Sequence, residues 1–164
     1  MLFSHGKESG PWGLKIKELA AVAEAAGWAV ESLDYRGIED PQERVDKLVA
    51  RAKDFDQPVL VGSSMGGAVA ARAANSVSAR GLFLMATAVY VPGYEHLQPQ
   101  PENVPTVFVH GWRDSIIPYQ NALRFALECK ARYVLTDDEH GLAGSIAVLK
   151  SQFADFLSLL ESRS

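Results

Sequence analysis

Ser64 is the centre of Gly62-Ser63-Ser64-Met65-Gly66, and two residues far along the chain, Asp114 and His140, complete the set that acyl transfer by serine requires. The hydroxyl needs a base to take its proton, and the imidazole needs a carboxylate to hold it in the right tautomer. The G-x-S-x-G pattern lies between an apolar run, Pro58 to Val61, and a small-residue run, Gly67 to Ala74, so it reads as a strand-to-helix elbow. So sharp a turn pushes the serine into an unfavourable backbone region. Glycine on both sides lets the strand and helix approach without Cβ collisions. Ser63 is the weaker nucleophile, one residue short of the centre and directed into the strand packing.

Each partner has a plainer alternative. Asp114, close to Pro118, also suits a helix cap, and His140 also suits an exposed loop. Asp137 and Asp138 are rival acids, but they stand too near His140 in sequence to reach its ring from a separate loop, and a solvated turn suits them better. The four histidines, His5, His96, His110 and His140, have neither the spacing nor the carboxylate companions of a zinc site, so no metal or other cofactor is expected. The only cysteine, Cys129, falls in a helical pattern without a nearby histidine and reads as a packed thiol.

The elements that must position these groups alternate along the chain. Strands are expected at Met1 to Ser4, Trp28 to Tyr35, Pro58 to Ser63, Gly81 to Ala86, Thr106 to His110 and Ala131 to Leu135. Helices are expected from Leu14 to Ala26, stopped by Gly27, and from Pro41 to about Phe55, behind Asp40. Two more follow, from Tyr119 to Cys129 and from Gly144 to about Leu160. This order implies a three-layer α/β/α sandwich around a mainly parallel six-stranded sheet, in one domain spanning residues 1–164. In such a sheet the strand-to-helix loops share one carboxyl edge, which is where ligands of open α/β folds bind. His5-Gly6-Lys7, Ser64, Asp114 and His140 all fall in those loops.

One long irregular stretch, Thr87 to Pro105, carries Pro92, Pro99, Pro101 and Pro105, and a loop of that length is usually functional. Trp12, Tyr90, Tyr94 and Trp112 stand in or beside the carboxyl-edge loops and are candidates to wall a substrate pocket, whereas Trp28 reads as core.

Composition narrows the partners. The chain of 164 residues is 48% hydrophobic and 22% charged, with a net charge of −4 and no basic run, so neither nucleic acid nor an anionic membrane has an electrostatic footing. A lone cysteine and the lack of a charged-then-apolar leader favour a cytoplasmic protein.

With these residues in view the chain resembles the α/β-hydrolase family over nearly its whole length. The segment His110-Gly111-Trp112-Arg113-Asp114-Ser115-Ile116-Ile117-Pro118 is similar to the family's H-G-x-x-D-x-x-I/V-P signature, in which the Asp is the triad acid. Ser4-His5-Gly6 resembles its early H-G turn. That resemblance implies an oxyanion hole from the backbone N–H groups of Lys7 and Met65, and gives His5 and His110 the task of steadying their turns. The family core usually has eight strands, and this chain starts at what would be the third. No separate cap is present, so the expected site is a shallow cleft for a small ester or thioester, in the manner of small bacterial serine esterases and dienelactone-hydrolase-like proteins. Two other classes stand beside this one. A nucleotide-binding module would use Val61 to Gly67 as a phosphate cradle, but the P-loop lysine and the G-x-G-x-x-G order are missing. A hydrolase-like interaction protein would keep the triad and scarcely use it.

Overall fold

Alternation along the strands sorts the apolar side chains into two cores, one on each side of a single sheet. The computed structural model describes residues 1–100 and 104–162. Strands β1 (Leu2–Ser4), β2 (Glu31–Leu33), β3 (Val59–Ser63), β4 (Gly81–Met85), β5 (Thr106–Gly111) and β6 (Arg132–Thr136) are all parallel, in the order β2-β1-β3-β4-β5-β6. Leu2, Leu60, Leu82, Leu84 and Phe108 pack with helices α2 (Pro41–Ala52), α3 (Met65–Ala73) and α4 (Tyr119–Glu128). Their strand neighbours Phe3, Val61, Phe83, Met85 and Val109 pack with α1 (Leu14–Ala25) and α5 (Ile146–Glu161). Period-two patterning thus becomes a three-layer sandwich. On the second face Phe83 meets Phe153 edge-on with ring centroids 4.9 Å apart, a geometry that adds about 0.5–1.5 kcal/mol to simple burial.

The helix boundaries follow the expected signals closely. Gly27, at φ +84°, ends α1, and the Asp40 carboxylate accepts the Gln42 N–H at 2.8 Å in front of Pro41. The second strand is shorter than its apolar pattern, Trp28 to Tyr35, suggests. It is an edge strand whose only neighbour, β1, offers three residues, so pairing is confined to Glu31, Ser32 and Leu33. Trp28 therefore lies outside the strand, half-buried against the second core under the Arg80 guanidinium. Among the described residues of the Thr87 to Pro105 stretch there is one short 3-10 turn, Glu95–Leu97; Pro101 lies outside the described residues. Among the described residues no helix is long and apolar enough to cross a membrane.

The strand order reverses between β1 and β3, whose carboxyl ends are therefore neighbours at the switch point of the sheet. The loops leaving those two strands hold His5-Gly6-Lys7 and Ser64.

Candidate active site

The turn from β3 into α3 is built on glycine. A Cβ on Gly62 would collide with the Gly66 carbonyl, and one on Gly66 would collide with the Ser4 carbonyl of β1. Only with both side chains absent can α3 begin directly on the sheet, and Ser64 absorbs the bend at φ 55°, ψ −121°. That conformation costs about 1–3 kcal/mol for a residue with a side chain. It is pinned by Ser64 N–H donating to the Met85 carbonyl at 2.9 Å and by Ala88 N–H donating to the Ser64 carbonyl at 3.1 Å.

Three side chains from three loops meet at this elbow. His140 Nδ1 lies 2.7 Å from Asp114 Oδ2, and His140 Nε2 lies 3.0 Å from Ser64 Oγ. A carboxylate only accepts, so Nδ1 carries the proton; a neutral ring then leaves Nε2 free to accept the Ser64 hydroxyl proton. Asp114 also serves its own turn. Its Oδ1 accepts the N–H groups of Ile116 at 2.9 Å and Ile117 at 2.8 Å, while Oδ2 faces the imidazole, so capping and orienting use different oxygens. Burial works to raise the Asp114 pKa, but the Ile117 N–H, His140 and the Ile116 N–H outweigh it and hold the carboxyl below its usual range. The rival acids are occupied elsewhere. Asp137 pairs with Arg113 at 2.8 Å, and Asp138 Oδ1 accepts the Glu139 N–H at 2.8 Å.

His110 does more than open a turn. Its buried Nε2 lies 3.0 Å from both Asp114 Oδ2 and the Ile117 carbonyl, two acceptors, so it donates and braces the same carboxylate oxygen that His140 meets. His5 is held just as firmly: Nδ1–H donates to the Gly6 carbonyl at 2.7 Å, and Nε2 accepts the Tyr35 N–H at 2.8 Å. Arg44, only 2% exposed, donates to the Ile38 carbonyl at 2.8 Å and approaches the Gly6 carbonyl at 3.4 Å. With the Gly6 carbonyl turned toward His5 and Arg44, the planar trans peptide directs the Lys7 N–H the other way. Gly6 itself lies against Ser64, since a Cβ there would stand 3.4 Å from the Ser64 Cβ. The Lys7 and Met65 N–H groups donate to no acceptor among the described residues. Sequence reasoning missed Arg44, although its spacing from Pro41, Val45 and Leu48 puts it on the buried stripe of α2.

Both His5 and His110 have pKa values below the ordinary imidazole range, chiefly through burial. Below about pH 6.5 the unfolded chain accepts protons that the folded chain resists, so stability should fall with falling pH. The slope is at most about 1.4 kcal/mol per pH unit per histidine and ends at the folded-state pKa. The Asp114 contribution is complete above about pH 4 and is lost as pH drops through its lowered folded value. Urea midpoints measured from pH 7.5 to 3 should decline first below neutrality and again in the carboxylate range; a flat profile from pH 7 to 5 would contradict the neutral histidines.

The elbow opens into a cavity of about 600 Å³. The Thr87 to Pro105 stretch lends Tyr90, Val91, Tyr94 and Gln98 to its wall, together with residues of the loop after β1. Tyr90 and Tyr94 thus line the cavity. Trp12 and Trp112 do not. Trp12 is 44% exposed on a turn tied to the β2 edge by the Ser32 hydroxyl bonding the Pro11 carbonyl. Trp112 is 51% exposed, because its N–H is drawn to the Thr136 carbonyl and its ring lies beside the Arg113 guanidinium. His96 is exposed beside Tyr94, and Cys129 is half-buried against the first core. Among the described residues no three His, Cys, Asp or Glu side chains gather into a metal site.

This fold and this edge are those of a known class. The sequence matches the α/β-hydrolase family over residues 1–157, and the chain belongs to that family. An α/β-superfamily protein from Xanthomonas campestris pv. campestris is 32% identical, with a TM-score of 0.88 over 96% of each chain. Alpha/beta hydrolase domain-containing protein 10 from mouse superposes with a TM-score of 0.81 at 20% identity, over 97% of this chain and 89% of that one. Est1E from Butyrivibrio proteoclasticus superposes with a TM-score of 0.82 at 16% identity, over 98% of this chain and 87% of that one. No curated protein matches the chain by sequence.

Proposed function

We propose that the protein is a serine hydrolase that cleaves a small ester or thioester through an acyl-enzyme intermediate on Ser64. One observation carries this reading: an unbroken line of hydrogen bonds from Asp114 through His140 to Ser64, ending at a serine held in a strained elbow. As Ser64 Oγ attacks the carbonyl carbon, His140 Nε2 takes its proton, and the imidazolium is stabilised by Asp114. The tetrahedral oxyanion is received by the N–H groups of Met65, at the start of α3, and of Lys7, in the loop after β1. His140 then protonates the departing alcohol or thiol, and water enters by the same route to free the acid. A cavity of about 600 Å³ supports a substrate of ordinary small-molecule size.

A fluorophosphonate probe tests this directly. It should modify one residue, Ser64, and peptide mapping should find the adduct there. An adduct on Ser63, or none under conditions that label a known serine esterase, would overturn the assignment.

A further inference from the structure

The cavity beside Ser64 is walled mainly by apolar groups, yet one lysine that lines it has no carboxylate partner among the described residues. Lys15, in the first turn of α1, is half-buried and lines the same cavity as Ser64 and His140. Its Nζ has one weak acceptor, the His140 carbonyl at 3.5 Å, and no carboxylate of the described residues lies within ion-pair distance. The other lysine on the wall, Lys7, is more exposed and paired with Glu39 at 3.7 Å. Two donors of the Lys15 ammonium are therefore left for whatever fills the cavity.

We propose that Lys15 forms an anion subsite, so that the ester taken by this site carries a carboxylate that pairs with the Lys15 ammonium while Ser64 attacks the ester carbonyl. A lysine with no such duty would be expected to extend into water, because its stem is long and flexible. Here burial brings the ammonium down to about 8, although Asp114 and Asp138 both act to raise it. A cation that poorly hydrated gains from an incoming anion far more than an exposed one does. The other charged groups on the wall are Lys7, paired with Glu39, and the Glu8 carboxylate, so one unpaired ammonium without a guanidinium fork matches a monoanion; a phosphate dianion would leave half of its charge unpaired.

This inference rests on the serine-hydrolase reading, and its test separates the two. Two ester pairs of 4-substituted phenols are compared. The hydrogen succinate and 4-methylpentanoate esters of 4-nitrophenol put a carboxylate or an isopropyl group of the same shape on the acyl side. The acetates of 4-hydroxybenzoate and 4-isopropylphenol do so on the alcohol side. Lys15→Met should lower kcat/KM for the carboxylate member of at least one pair by about 10- to 100-fold more than for its neutral partner. Lys15→Arg should restore part of that difference. An equal loss on both members would make Lys15 a support of the His140 loop, and no loss on either would make it a bystander; both overturn the subsite. So would tighter selection of a phosphate-bearing acetate than of the carboxylate. If no ester is turned over and no fluorophosphonate is bound, the hydrolase reading fails. The subsite is then judged by binding of monomethyl succinate to the Ser64→Ala protein, which Lys15→Met should weaken by a similar factor, and which an unchanged affinity would refute.

Discussion

Ser64→Ala, His140→Ala and the double variant should each lose about 10⁶ in kcat, and the double loss should be no larger than the single ones. The expectation follows from the two bonds that His140 makes. Its Nε2 lies 3.0 Å from Ser64 Oγ and its Nδ1 lies 2.7 Å from Asp114, so in the proposed mechanism both ends of the ring serve one proton transfer. Remove the ring and the hydroxyl has no base; remove the hydroxyl and the base has nothing to activate. Either change disables the same step, and the second removes nothing further. What survives is the activity of the N–H donors and the cavity, about 10³–10⁴ over water. The fold should be unaffected, because alanine occupies φ 55° at the same backbone cost as serine and leaves the Met85 and Ala88 bonds in place. Active-site titration, kcat with the best ester and far-UV circular dichroism check the three statements together. Losses that multiply would show that Ser64 and His140 do not act as one unit.

The parts of this site that were legible in the sequence are those that local physics dictates. Gly62 and Gly66 had to be glycine, because each occupies space that another backbone fills, and that need writes the elbow into five consecutive residues. The two cores were equally plain in the alternation of Leu82 and Leu84 with Phe83 and Met85, since a strand covered on both faces has no polar position to spare. The shortness of β2 was hidden. Its apolar pattern runs past Leu33 to Tyr35, but hydrogen bonding stops where β1 stops, and the length of one strand says nothing of its neighbour's.

Residues whose role depends on contacts across the chain were the ones missed or misplaced. Lys15 stands 125 positions before the His140 carbonyl it approaches, and nothing around it distinguishes it from Lys17, which is exposed. Trp12 and Trp112 had the right loops and the wrong directions, since an aromatic at a loop tip turns wherever the backbone bonds of that loop send it. Arg44 left a trace in its helical spacing, but charge argued for a solvated face and concealed it. His110 was visible as part of a turn. That its ring would reach Asp114 depended on the return of the chain at Ile117, which supplies the second acceptor.

Asp114→Asn should lower kcat by about 10⁴ with little change in KM, whereas Asp138→Asn should leave kcat within a few-fold of the parent. The asymmetry comes from the Asp114 turn. The N–H groups of Ile116 and Ile117 both point at Oδ1, so an asparagine must put its carbonyl oxygen there and its NH2 where Oδ2 was. That NH2 then faces His140 Nδ1 and His110 Nε2, both of which donate in the parent protein. Two donors cannot share a bond, so His140 moves its proton to Nε2 and uses Nδ1 to accept from the amide. The ring keeps its position but presents an N–H to Ser64 in place of a lone pair, and the serine proton has nowhere to go. Asp138 has no such leverage: its Oδ1 accepts the Glu139 N–H, and His140 is bonded to Asp114. The pH dependence of kcat for Asp114→Asn adds a second reading. At high pH, hydroxide can take over the missing base role, so the variant should recover part of its rate above neutrality while the parent does not. If Asp138→Asn is the damaging change and Asp114→Asn is harmless, the acid of the triad lies on the loop after β6 and the line of bonds through Asp114 is structural.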